Sequence, residues 1–244
     1  MNGQPDFNRI LTALQNGELV LQGQFVSGSN STFLGQVQHE TLTLPVVYKP
    51  VRGETLLWDF PVGSLARREV AAYVVSQALG WELVPPTVLR RRGPLGKGSL
   101  QWYVEHDPER HYFNFTAAEK ENLRPTVLFD LLINNADRKG GHILLDAQNH
   151  LWLIDHGVCF HVEDKLRTVV WDFADQSIPT PLLADVSRVV AELQNPGSTL
   201  VSDLSPLLRV SELRALARRG LKLIDQGVFP PPPANRRSFP WPPV

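Results

Sequence analysis

A single cysteine, Cys159, stands in a chain of 244 residues. That excludes an intrachain disulfide framework and any zinc site built on several cysteines. Net charge is nearly absent too, with 24 Lys and Arg against 25 Asp and Glu. Such a balance offers no overall field to nucleic acid or an anionic membrane, so no nucleic-acid partner is expected. No apolar run reaches the roughly 18 residues a membrane-spanning helix needs, so no membrane span is expected. Met1-Asn2-Gly3-Gln4-Pro5-Asp6 lacks the basic-then-apolar order of a secretory leader. With the lone thiol, this predicts a reducing, cytoplasmic setting. Internal repeats are missing as well. What remains is a globular composition, 43% apolar and 20% charged, in a chain long enough to bury a core.

Proline is plentiful, and seven of the 20 fall between residues 230 and 244. A segment without those N–H donors predicts an extended strap, held on the domain by Phe239 and Trp241. Ahead of it the first half alternates. A short helix ends at Asn16-Gly17, and strands follow over 19–26, 33–37 and 44–48, with the turn formers Ser27–Thr32 between the first two. Ser64 opens a helix that Gly80 ends. Residues 87–89 and 100–104 form a hairpin around a basic tip. The second half is helical over 117–133, 182–193 and 211–223, with Pro125 starting a new helix. Short strands at 143–145 and 151–154 interrupt it. The fold class is therefore α+β. It divides into a β-rich lobe (1–104), a mainly helical lobe (105–228) and a proline-rich tail (229–244).

The chemistry gathers at two acids. Asp137 lies in the polar loop 134–142, and Asp155 ends the second short strand with Gly157 just after it. The hairpin between them brings both carboxylates toward one end. One can take a proton from a hydroxyl, while the other can hold Mg²⁺, a hard ion that wants oxygen. Gly157 is expected to allow a sharp backbone turn after the acid. Upstream, Lys49 ends a strand, and Glu69 lies in the helix that follows. A strand lysine held by a helix glutamate positions an ammonium against phosphate. The loop Ser29-Asn30-Ser31-Thr32 can offer backbone N–H groups to the same phosphates.

Phosphate loop, strand Lys, helix Glu, catalytic Asp, metal Asp-x-Gly is the order of the kinase signature. Gly-x-Gly-x-x-Gly and His-Arg-Asp are missing. Instead, Asp137-Arg138-Lys139-Gly140-Gly141-His142 and Ile154-Asp155-His156-Gly157 resemble the catalytic loop and metal motif of the phosphatidylinositol 3-/4-kinase-like superfamily. Asn135 matches the Asn-x-Asp form of its HipA-like branch. Val47-Tyr48-Lys49-Pro50, Leu57-Trp58-Asp59-Phe60-Pro61 and Ile154–Phe160 resemble a small bacterial family within it. The resemblance implies a two-lobed kinase-like fold that binds ATP with Mg²⁺ or Mn²⁺. It implies Asp137 as the residue that orients or deprotonates an acceptor hydroxyl, with Arg138 or Lys139 stabilising charge. It makes Asp155 the metal ligand and Val104-Glu105-His106 the hinge that meets the adenine. Where the family carries Asn as a second metal ligand, this chain has His142, a softer donor that suits Mn²⁺.

The mixed charge of His161–Arg167 favours a protein or small-molecule hydroxyl over an inositol lipid as acceptor. Two other functions fit the residues: a nucleotide-binding pseudokinase or scaffold, and a metal hydrolase using His142, His150, His156 and His161.

Overall fold

In β3 (Leu42–Pro50), Leu44, Val46 and Tyr48 are buried and alternate with less buried neighbours, the period-2 signature of a strand with one face on a core. It pairs antiparallel with β2 (Phe33–His39) and β5 (Gly98–Trp102). β1 (Glu18–Gln24) and β4 (Thr87–Arg90) close the two edges, so the sheet order is β1-β2-β3-β5-β4. The computed structural model describes residues 6–26 and 30–244. α1 (Phe7–Asn16), capped by the Asp6 carboxylate on the amides of Asn8 and Arg9, lays Ile10, Ala13 and Leu14 onto this sheet. Arg90, expected in a solvated tip, instead donates to the carbonyls of Leu14 and Gly17, both at 3.0 Å, and closes the C-terminus of α1.

α2 (Leu65–Leu79) is buried nearly all round. Its Ala71, Ala72, Val75 and Leu79 belong to the same core as the helices of the second lobe. The helix is therefore shared between lobes, and Glu69 is carried where both meet. Ser64, the expected cap, turns its hydroxyl to Arg68 Nε, and Glu54 Oε1 takes the Ala66 amide instead, at 2.9 Å. Gly80 ends α2 in the left-handed region, as its sequence position predicts.

α3 (Ala117–Glu121) and α4 (Arg124–Ile133) split at Pro125 as expected. α4 leads into the loop that carries Asp137. β6 (Ile143–Leu145) and β7 (Leu151–Leu153) form the hairpin that delivers Asp155. α5 (Thr180–Gln194), a short α6 (Thr199–Leu204) that the sequence reading missed, and α7 (Val210–Gln226) complete the helical lobe. None of these helices is long and apolar enough to cross a membrane.

The tail does run as a strap, but its anchors differ from those expected. Phe229 is buried, whereas Phe239 is half exposed and Trp241 is 76% exposed. Backbone bonds hold the rest. Thr168 N–H donates to Ser238 O at 3.0 Å, and Gly140 N–H to Pro243 O at 2.8 Å. Arg236 bonds Leu166 O and Asp164.

Candidate active site

Register places Lys49 opposite Ser99 at the end of β3, facing α2 and the end of β7. Its Nζ bonds Glu69 Oε1 and lies 2.9 Å from Asp155 Oδ1. Three residues picked from sequence thus converge on one ammonium. Burial works against the charge on Lys49, but Asp155 and Glu69 outweigh it and raise the pKa. Lys49 in turn holds Asp155 well below the usual carboxylate range. Burial pushes Glu69 up despite Lys49, and its second oxygen accepts the His156 amide at 2.9 Å.

Asp155 has φ +62°, a left-handed conformation that Asp tolerates better than most residues. Its carboxylate is 44% exposed and stays open to the cleft. The sharp turn expected at Gly157 therefore falls on Asp155. Gly157 is needed for close approach: a Cβ there would lie 3.3 Å from Leu65 Cβ on α2.

Asp137 sits in a loop braced by side-chain hydrogen bonds. Asn135 Oδ1 accepts its amide at 3.0 Å, and Asn135 Nδ2 donates to Asp130 Oδ1 at 3.0 Å. Burial lifts the Asp137 pKa to about 6, with Lys139, whose Nζ is 3.8 Å from Oδ2, opposing the rise. A carboxylate poised near neutrality suits proton transfer.

Arg138 is not where a phosphate could meet it. Its guanidinium is fully buried and grips Asp130 through two bonds of 2.9 and 3.0 Å. It also donates to the carbonyls of His142 and Ile154. Its expected charge-stabilising role fails for lack of access, and the residue locks the Asp137 loop to the ends of β6 and β7. Lys139 keeps that role open. Asp130 was missed by sequence reasoning because its partner is eight residues away across a helix end.

His142 Nε2 lies 3.3 Å from Asp155 Oδ2. Burial lowers its pKa to about 4, so the ring is neutral near pH 7 and can donate or ligate, while its buried Nδ1 has no partner among the described residues. Among the described residues no three His, Cys, Asp or Glu side chains gather as a metal site. Asp155 and His142 alone fit an ion that arrives with phosphate oxygens, the usual way Mg²⁺ is held. The other histidines disperse. His150 Nε2 meets Glu82 O, His156 is buried against Arg138, and His161 packs on Phe60.

Asn30, Ser31 and Thr32 lie just ahead of β2, whose Phe33 pairs with Tyr48 beside Lys49. Ser29 lies outside the described residues. The Ser31 amide is already taken by Gly53 O at 3.0 Å, and Asn30 Oδ1 accepts the Thr55 amide at 2.7 Å, so the loop is braced by 53–55. Val104 is buried against Leu144 and Trp152, and its carbonyl accepts from His106 Nδ1 at 2.8 Å. Val104-Glu105-His106 thus follows β5 and rests through Val104 on β6 and β7.

No protein-family model matches the chain. It is 40% identical over 264 aligned positions to Protein Rv2133c of Mycobacterium tuberculosis, covering 94% of this chain and 93% of that one. It is 30% identical to a rice phosphatidylinositol 4-kinase gamma 4 over 72% of this chain, and spans only 36% of that protein's length. Among solved structures, a hydra Fam20 superposes with TM-score 0.57 at 17% identity, covering 92% of this chain and 89% of the other. A Golgi casein kinase solved with Mn and ADP gives 0.55 at 16% identity, covering 90% and 74%. The fold is the two-lobed fold of the atypical kinases.

Proposed function

The chain belongs to the family of the Mycobacterium tuberculosis protein Rv2133c, and we propose that it is an ATP-dependent phosphotransferase of the phosphatidylinositol 3-/4-kinase-like type. The observation that carries this reading is Lys49, bonded at once to Glu69 of α2 and to Asp155 after β7. That arrangement joins the lysine–helix glutamate pair to the metal aspartate, as phosphoryl transfer requires. Lys49 binds the ATP phosphates, with Asn30–Thr32 above them and the adenine against 104–106. A Mg²⁺ or Mn²⁺ ion held by Asp155, with His142 as second donor, neutralises phosphate charge when bound.

Asp137 takes the proton of the acceptor hydroxyl as its oxygen bonds the γ-phosphorus. The bond from that phosphorus to the bridging oxygen breaks, and ADP leaves. Lys139 faces the charge that spreads over the transferred group. The mixed charge after Phe160 favours a protein or small-molecule hydroxyl.

Thermal denaturation with ATP and Mg²⁺ or Mn²⁺, followed by transfer from γ-labelled ATP, tests this. Saturating nucleotide at about 100 times Kd adds about 2.7 kcal/mol of stability. That gain is expected to need the metal and to vanish in Lys49→Ala and Asp155→Asn. Stabilisation without any transfer or hydrolysis marks a pseudokinase. No stabilisation by any nucleotide overturns the reading.

A further inference from the structure

A second cavity, of about 400 Å³, lies away from the Lys49–Asp155 cleft and shares no residue with it. Its walls come from α4, α7, the segment after Phe160 and the first prolines of the tail. The volume is in the range of small-ligand sites. Arg218, Arg219, Lys222 and Arg236 line it, with Asp164 as the one acid. Asp164 is paired with Arg236, so the lining sets four cations against one acid. Arg218 and Lys222, four apart on α7, share a face and repel each other there.

Buried donors strengthen the case. Arg219 spends Nε on Leu132 O and Nη1 on His161 O, but its Nη2 is buried with no partner among the described residues. The Trp171 indole N–H is likewise buried and unpaired. Such donors cost free energy unless something accepts from them. Burial also draws the Arg219 guanidinium down to about 10, a strain that a nearby anion relieves. Trp171, Leu166, Leu223 and the prolines supply apolar wall, and Asn134 and Gln226 add polar groups.

We propose that this cavity binds a phosphate monoester on an apolar, ring-sized body, with the dianion between Arg218, Arg219 and Lys222 and the body against Trp171 and the prolines. A dianion answers the three-cation excess better than a carboxylate does. The site is independent of the nucleotide reading and stands or falls without it.

Calorimetry on the full chain uses phenyl phosphate, inorganic phosphate and the neutral benzyl alcohol as probes. Phenyl phosphate is expected to bind at least about tenfold more tightly than either of the others. The double variant R218A/K222A, altered on one face of α7, is expected to weaken it by about tenfold or more. Arg219→Gln weakens it further if the variant folds. Asp155→Asn, which disables the nucleotide cleft, is expected to leave it unchanged. Three results each overturn the proposal: no binding of phenyl phosphate up to about 10 mM, equal binding of inorganic phosphate, or binding lost in Asp155→Asn but kept in R218A/K222A.

Discussion

Arg138, paired with Asp130, and Lys49, paired with Glu69 and Asp155, are built oppositely. Arg138 and Asp130 are 0% and 2% exposed, with every bond directed inward to loop carbonyls and His156. Lys49 and Asp155 are 20% and 44% exposed and face a cleft. The first pair is scaffold, and breaking it leaves a charge stranded in a dry interior. The second is open, and under the proposed function its members would exchange each other for phosphate and metal. His156 joins them: its ring accepts from Arg138 Nη2 at 2.8 Å, and its amide bonds Glu69. Burial holds its pKa well below the ordinary value, so the ring is neutral and free to accept.

The largest effect is expected at the buried pair. Asp130→Ala should cost about 3–5 kcal/mol in urea unfolding, because Arg138 is then buried uncompensated. A loss near zero would erase the distinction between the two clusters. Asp155→Asn should keep the fold yet lose metal-dependent nucleotide binding and slow transfer by about a thousandfold, read as initial rates with labelled ATP.

Asp137→Asn should lower transfer by about 10²- to 10⁴-fold. It should also act on stability with a definite pH dependence. The carboxyl titrates near 6 in the folded chain and near its ordinary 3.8 when unfolded. Between these values the folded state binds more protons, so stability falls as pH rises from about 4 to 6. Removing the charge should therefore stabilise the protein by about 1–2 kcal/mol above pH 7, after discounting for its partial exposure, with no gain near pH 4. Wild-type turnover should rise with pH through about 6. The smallest change, Gly157→Ala, should cost about 1 kcal/mol by pressing on Leu65, and should weaken nucleotide binding more than global stability if α2 shifts.

Lys49, Glu69, Asp137 and Asp155 were legible because each sits in a short local motif, and the order of motifs carries their meaning. The strands and most helices were legible from periodicity and from stops such as Gly80 and Pro125. What stayed hidden is long-range. Arg68, buried on α2, is paired with Glu212 of α7, 144 positions on, and no local pattern announces such a partner. Glu54 capping α2 across a loop is hidden for the same reason. Arg138 was misassigned because a charged residue beside a candidate catalytic carboxylate reads as reagent until its burial is seen. The tail's anchors were misjudged because aromatic size suggested Phe239 and Trp241, whereas backbone bonds and Arg236 hold the strap.

The bond from the Gly140 amide to Pro243 sets an order in time for the growing chain. The Asp137 loop is made about a hundred residues before the partner that completes its hydrogen bonding. At about 5–20 residues per second of synthesis, that is a delay on the order of ten seconds. During it, Thr168 and Gly140 both wait for acceptors that only the tail supplies. The loop that carries Asp137 therefore reaches its final bonding only after Pro243 has been made, although its own residues emerge near the middle.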